Sequence, residues 1–168
     1  CESEGVLVVA AAGNDGCECH QVPAALDSVI AVGAATHEGA PLDFSNWGPL
    51  YRDGGILAAG QDIAGAIPGG GIARQTGTSF AAPAVSGVAS LLMSLQLKNK
   101  SSVDSGRVRA AILEGTKSCE ELPAKNCDRV LAGQIDVGRT LTLFNRGASE
   151  VTELTPQKEP QVSTTATD

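Results

Sequence analysis

Aromatic side chains are scarce in this chain, at 3% of 168 residues, with a single Trp and a single Tyr. The core must therefore be built from Ala, Val, Ile and Leu. That favours an α/β protein with closely approaching layers over an aromatic-rich β sandwich. Basic runs are absent too: 12 Lys and Arg stand against 19 Asp and Glu, a formal charge of −7. An acidic chain without a cationic patch is a poor match for nucleic acid or an anionic membrane. No apolar stretch approaches the roughly 18 residues of a spanning helix. No signal peptide is visible in Cys1-Glu2-Ser3-Glu4-Gly5, which is short and polar, and that has little weight if residue 1 is not the natural start.

Metal-ligand spacing is missing as well. The 5 cysteines fall at positions 1, 17, 19, 119 and 127, with no CxxC pair and no zinc-type histidine spacing. Cys17-Glu18-Cys19-His20 reads either as half a metal site or as loop cysteines, some of them bonded. Cys119 and Cys127 would close a short loop. Cys17 and Cys19 are poorly placed to bond each other, and an odd thiol must stay free or pair outside the chain. Gly69-Gly70-Gly71 lacks the trailing Gly-Lys-Ser/Thr of a phosphate loop and reads as a hairpin tip. Neither a cofactor nor a catalytic metal is expected.

The length suffices for one domain with a real core. Val6-Leu7-Val8-Val9-Ala10-Ala11-Ala12 predicts a strand buried on both faces, ending at the turn Gly13-Asn14-Asp15-Gly16. Ser28 to Ala34 predicts a second buried strand, Gly55 to Gly60 a third, and Gly65 to Ile72 a hairpin. From Ser79 to Leu95 the chain is apolar nearly all round, which predicts a buried helix. Pro83 places the start of that helix close to Ser79, so that the proline falls in the first turn. Small residues at Ala81, Ala82, Ala84 and Gly87 would let neighbouring backbones come close. An amphipathic helix over about 105–116, a short strand or turn at 131–136 and a last helical piece at 137–145 follow. Composition then shifts to Thr, Glu, Pro and Ser, giving a domain over 1–147 and a flexible tail or linker over 148–168.

The chemistry concentrates at Gly77-Thr78-Ser79. A serine opening a buried helix holds its hydroxyl at a fixed, accessible point, beside unpaired backbone N–H groups and the positive end of the helix dipole. Such a place stabilises an acyl-transfer oxyanion. A lone serine there would be an ordinary helix cap; its surroundings argue otherwise.

Gly77-Thr78-Ser79-Phe80-Ala81-Ala82-Pro83-Ala84-Val85-Ser86-Gly87 resembles the nucleophile signature of the subtilisin-like serine proteases. Val8 to Asn14 resembles the strand and turn that deliver the family's oxyanion asparagine. Ser28 to Ala34, Asp43 to Pro49, Ala58-Ala59-Gly60 and Val130 to Asp136 follow the family's order, so the likeness covers about residues 5–145. It implies a three-layer α/β fold with a mainly parallel sheet between helices. Ser79 would be the nucleophile, and the Asn14 amide with the Ser79 N–H would hold the oxyanion. Ala12, Gly13, Val22 and Pro23 would line the pocket for the residue before the cleaved bond.

One departure stands out. The family's catalytic Asp (as Asp-Ser/Thr-Gly) and His (as His-Gly-Thr) precede the Asn and Ser, and neither pattern is found ahead of Asn14. Asp104-Ser105-Gly106 matches by letter but follows Ser79 within a polar stretch. His20 and His37 are followed by Gln and Glu and open no apolar helix. The chain thus reads as the C-terminal part of a catalytic domain whose companion N-terminal segment supplies Asp and His. A catalytically dead peptide-binding pseudoprotease is the alternative, and Cys1 as a processed N-terminal nucleophile a third reading. Cys17-Glu18-Cys19, Leu42 to Gly48 and Thr78 to Pro83 look like the cyanobactin maturation proteases, which cut ribosomally made precursor peptides. That likeness implies a peptide substrate and the bacterial cytoplasm, with secretion as the alternative.

Overall fold

The computed structural model describes residues 2–153. The chain forms strand β1 (Val8–Ala11), β2 (Val29–Ala35), helix α1 (Pro49–Arg52), β3 (Gly55–Ala59), β4 (Ile63–Ala66) and β5 (Ile72–Gln75). Helices α2 (Thr78–Lys98) and α3 (Ser105–Glu114), strands β6 (Thr116–Lys117) and β7 (Gln134–Ile135), and helix α4 (Val137–Glu153) complete it. The main sheet has order β1-β2-β3-β7-β6, and β1, β2, β3 and β7 run parallel. β4 and β5 form a separate antiparallel hairpin whose tip carries the glycine triplet, as the sequence predicts.

The period-2 alternation of β2 divides the core. Ile30, Val32 and Ala34 face α2 and α3, meeting Val85, Leu92, Val108 and Ile112. Ala31 and Ala35 face the other way, towards Ala12, Tyr51, Val130 and Leu131. Helices thus lie on one face, with α1 and irregular segments on the other, around a mainly parallel sheet: the expected α/β subtilisin-like layering. Tyr51, the one tyrosine, is fully buried and ties the layers with its hydroxyl. It donates to Ala12 O at 3.2 Å and accepts from Gln21 N at 2.7 Å.

Several expectations need correction. β1 is only half-buried, because it is the edge strand of the sheet. α2 is not buried all round. It buries one stripe, Ala81, Val85, Ala89 and Leu92, and leaves Leu91 68% exposed and Gly87 in open space. Its 21 residues are also long and apolar enough to cross a membrane by length and composition, contrary to the sequence reading. Packing of its stripe on β1, β2 and β3 uses only part of that apolar surface. Pro83 lies inside α2, in its second turn rather than its first, so the Ser79 carbonyl cannot receive the usual bond from residue 83.

A further correction concerns Cys17 and Cys19, which are disulfide-bonded to each other with Cα atoms 5.2 Å apart. An extended backbone would send alternate side chains to opposite sides. Here the chain bends at Cys17 instead of running extended, and the two sulfurs meet. Cys119 and Cys127 are bonded as well, closing the loop over the two short 3-10 turns 119–121 and 127–129. At the other end, α4 runs on to Glu153, past the composition shift at Ala148 where a tail was expected. Ser, Glu and Thr do not stop a helix whose earlier turns are already packed on α3. Residues 154–168 of the expected tail lie outside the described residues.

Candidate active site

Gly77 caps α2, and its N–H donates to Gly60 O at 2.9 Å. Gly60 has no room for a side chain, since a Cβ would stand 2.8 Å from Ala34 Cβ and 2.9 Å from Gly77 O. The end of β3 therefore sets the position of the helix start. The first turn of a helix has N–H groups without intrahelical partners. The Thr78 N–H donates to Asn14 Oδ1 at 3.0 Å, and Thr78 Oγ1 donates to the same oxygen at 3.0 Å.

Two donors on one carboxamide oxygen fix which way the Asn14 amide points. The oxygen turns towards Thr78, leaving Nδ2 with no hydrogen-bond partner among the described residues. The next backbone donor along the helix, Ser79 N–H, is likewise unpaired among the described residues. Thr78 is fully buried, whereas Asn14 and Ser79 are both exposed. The accessible hydroxyl and free backbone donor of Ser79 thus follow Thr78 directly in the chain, and the free amide donor belongs to the Asn14 side chain that Thr78 holds, at the positive end of a 21-residue helix.

Asn14 reaches that point because the buried end of β1 turns abruptly. Ala12 is fully buried, donating its N–H to Val32 O at 2.9 Å. Gly13 has φ 108°, and a Cβ there would overlap Asn46 Nδ2 and press on Gln21. The expected pocket residues therefore divide. Ala12 and Gly13 adjoin Asn14 at the strand end, while Val22 is 78% exposed and Pro23 exposed on the loop beyond. Gln21 instead lies over Gly13 and donates from Nε2 to Asp15 Oδ2 at 2.7 Å. Nothing in the polar loop sequence singled out Gln21, nor Thr78 as more than a member of the motif.

Of the remaining polar candidates, His20 and Asp104 have other attachments. His20 accepts from Leu50 N at 3.4 Å through Nε2 and stands edge-on to Tyr51. His37 is exposed in the turn after β2. Asp104 is the cap of α3, accepting from Arg107 N at 2.9 Å. Donor atoms of Asp15, Cys17 and Cys19 lie within 4.8 Å of one another. The two sulfurs share a disulfide and so are not thiolate ligands.

A model of the subtilase family, peptidase S8, matches residues 1–137. Among curated proteins, Subtilisin-like protease 1 of Trichophyton rubrum is 42% identical over 94 residues, which are 55% of this chain and 18% of that protein. Among solved structures, patellamide maturation protease PatA is 50% identical with a TM-score of 0.84, over 87% of this chain and 54% of that one. Prenylagaramide maturation protease PagA is 46% identical with a TM-score of 0.82, over 86% and 52%. The PatG macrocyclase, solved in complex with peptide, is 39% identical with a TM-score of 0.82, over 86% and 45%. The chain spans about half of these structures (52–54% for PagA and PatA) and about a fifth of the curated relative. With the helix-borne serine, the capping glycine and the asparagine turn in this arrangement, the chain belongs to the subtilase family of serine proteases.

Proposed function

We propose that this chain is the nucleophile-bearing part of a serine endopeptidase that processes a ribosomally made precursor peptide. Ser79 Oγ attacks the scissile carbonyl, forming a C–O bond as its proton passes to a general base. The resulting oxyanion sits between Asn14 Nδ2 and the Ser79 N–H. The intermediate collapses by breaking the C–N bond, the base returns its proton to the leaving amine, and water then hydrolyses the acyl-enzyme. The observation that carries this reading is the pair of unpartnered donors beside an exposed serine hydroxyl.

The base and its aspartate come from a companion segment on the N-terminal side. His20 is attached elsewhere and His37 is exposed in the turn after β2, which supports that assignment. So does the half-exposed edge strand β1, with a cleft between Leu7, Val8 and Val9 and the α2 residues Ser86, Ala89, Ser90 and Met93. Further parallel strands laid against β1 would cover both. The maturation proteases among the similar structures support the precursor-peptide substrate. For the compartment, the resemblance implies the bacterial cytoplasm, while the two disulfides favour an oxidising setting outside it.

In the protein joined to its companion segment, Ser79→Ala abolishes turnover and leaves peptide binding within about threefold. Continued cutting by that variant would end the assignment. If the parent protein binds peptide and never cuts it, the pseudoprotease reading replaces this one.

A further inference from the structure

We propose that Asn46 is a positioning residue for the Asn14 amide, an inference that rests on reading Asn14 as an oxyanion donor. Asn46 is 1% exposed, so its side chain is not open to solvent. Its hydrogen bonds nonetheless fall on both sides of Asn14. The Asn46 N–H donates to Gly13 O at 3.0 Å, on the residue before. On the residue after, Asn46 Oδ1 accepts from Asp15 N at 2.7 Å, and Asn46 Nδ2 donates to Asp15 Oδ2 at 2.9 Å. One buried residue thereby brackets the turn from which the Asn14 side chain projects, its backbone on the Gly13 side and its carboxamide on the Asp15 side.

The bracket is itself rigidly mounted. Ser45, next to it, is buried and accepts from Ala34 N on β2 at 3.0 Å. Leu42 N donates to Ala34 O at 2.9 Å, and Arg129 Nη2 donates to Leu42 O at 3.0 Å. Gly16 N donates to Phe44 O at 2.7 Å, and Trp47 N to Cys17 O at 3.2 Å, fastening the loop after Asn14 to the same segment. Asn14 is thus located from below by segment 42–47 and from above by Thr78. Catalysis at an oxyanion depends on donors held in place before charge develops. A donor free to drift by about 1 Å loses much of its effect. The α2 end of the site holds the amide's orientation, and Asn46 holds its origin.

Asn46→Asp keeps the side-chain shape and the acceptor for Asp15 N. It removes the Nδ2 donor and sets a second carboxylate against Asp15, which pushes the turn apart. Three readouts in the protein joined to its companion segment test the proposal: fluorophosphonate labelling rate, kcat on a peptide p-nitroanilide, and KM. The expected result is a ten- to hundredfold fall in labelling rate and kcat, with KM within about threefold. Adding Asp15→Asn to Asn46→Asp restores a donor–acceptor pair and returns both rates to within about threefold of the parent. In an Asn14→Ala background, Asn46→Asp slows the enzyme by less than about threefold, because the donor it places is gone.

A residue with only a structural role would slow the Asn14→Ala protein as much as the parent, and that result overturns the proposal. So does a parent-like rate for Asn46→Asp when Asn14→Ala is slow. Should Asn46→Asp lack a cooperative thermal transition, Asn46→Ser serves in the same cycle without the added charge. Labelling that persists in Ser79→Ala would instead bring down the protease reading, and this inference with it.

Discussion

At the scale of single residues, orientation of the Asn14 amide follows from counting donors. Thr78 brings an N–H and a hydroxyl to one oxygen, so the nitrogen must face away. In subtilisin, loss of one side-chain oxyanion donor costs about 10²–10³ in kcat, or about 2.7–4 kcal/mol. The same range is expected for Asn14→Ala, seen as slower acylation in stopped-flow with KM nearly unchanged. Thr78→Val removes one of the two donors and keeps the other. It should cost about 1 kcal/mol, roughly fivefold in rate. A drop as large as that of Asn14→Ala would mean that Thr78 itself holds the oxyanion.

At the scale of elements, the end of β3, the cap of α2 and the turn after β1 meet at small residues. Gly60→Ala would drive a methyl group into Ala34 and Gly77 O, forcing the cap of α2 outward. About 1–3 kcal/mol of stability should go, with slower fluorophosphonate labelling, measured by denaturant melts and labelling rates. A Gly60→Ala protein as stable and reactive as the parent would show that the cap is not set from β3. Tyr51→Phe leaves the Gln21 N–H and Ala12 O without the hydroxyl that joins them. That is an expected loss of about 1–3 kcal/mol by denaturant melt.

Much of this architecture was legible in the residues. The apolar runs at 29–35 and 55–59, the glycine-tipped hairpin and the serine at a helix start all carry local signals that survive folding. What escaped was non-local. Half-burial of β1 depends on which strand takes the edge, and apolarity of α2 says how much surface it could bury, not how much it does. The Cys17–Cys19 bond needed a bend at Cys17 that the residue types do not announce, and the roles of Gln21 and Asn46 depend on partners up to 33 residues away.

For the molecule as a whole, acid stability should report one surface link. Arg139 on α4 grips Glu121 with both Nη atoms, and the guanidinium holds that carboxyl down to about 2 from an ordinary 4.5. A depressed carboxyl pKa stabilises the fold above its unfolded value and ceases to as pH falls through the folded one. Glu121→Gln should therefore flatten the fall in melting temperature between about pH 4.5 and pH 2. High salt should shrink the difference, since the pair is exposed. An unchanged acid limb would place the acid sensitivity elsewhere.

The whole-domain account comes down to one covalent event. Peptide mapping by mass spectrometry, after treating the completed protein with a fluorophosphonate, should find the adduct on Ser79. The label should vanish in Ser79→Ala and form far more slowly in Asn14→Ala. An adduct on another residue, or none in a preparation that cleaves peptide, would contradict the account.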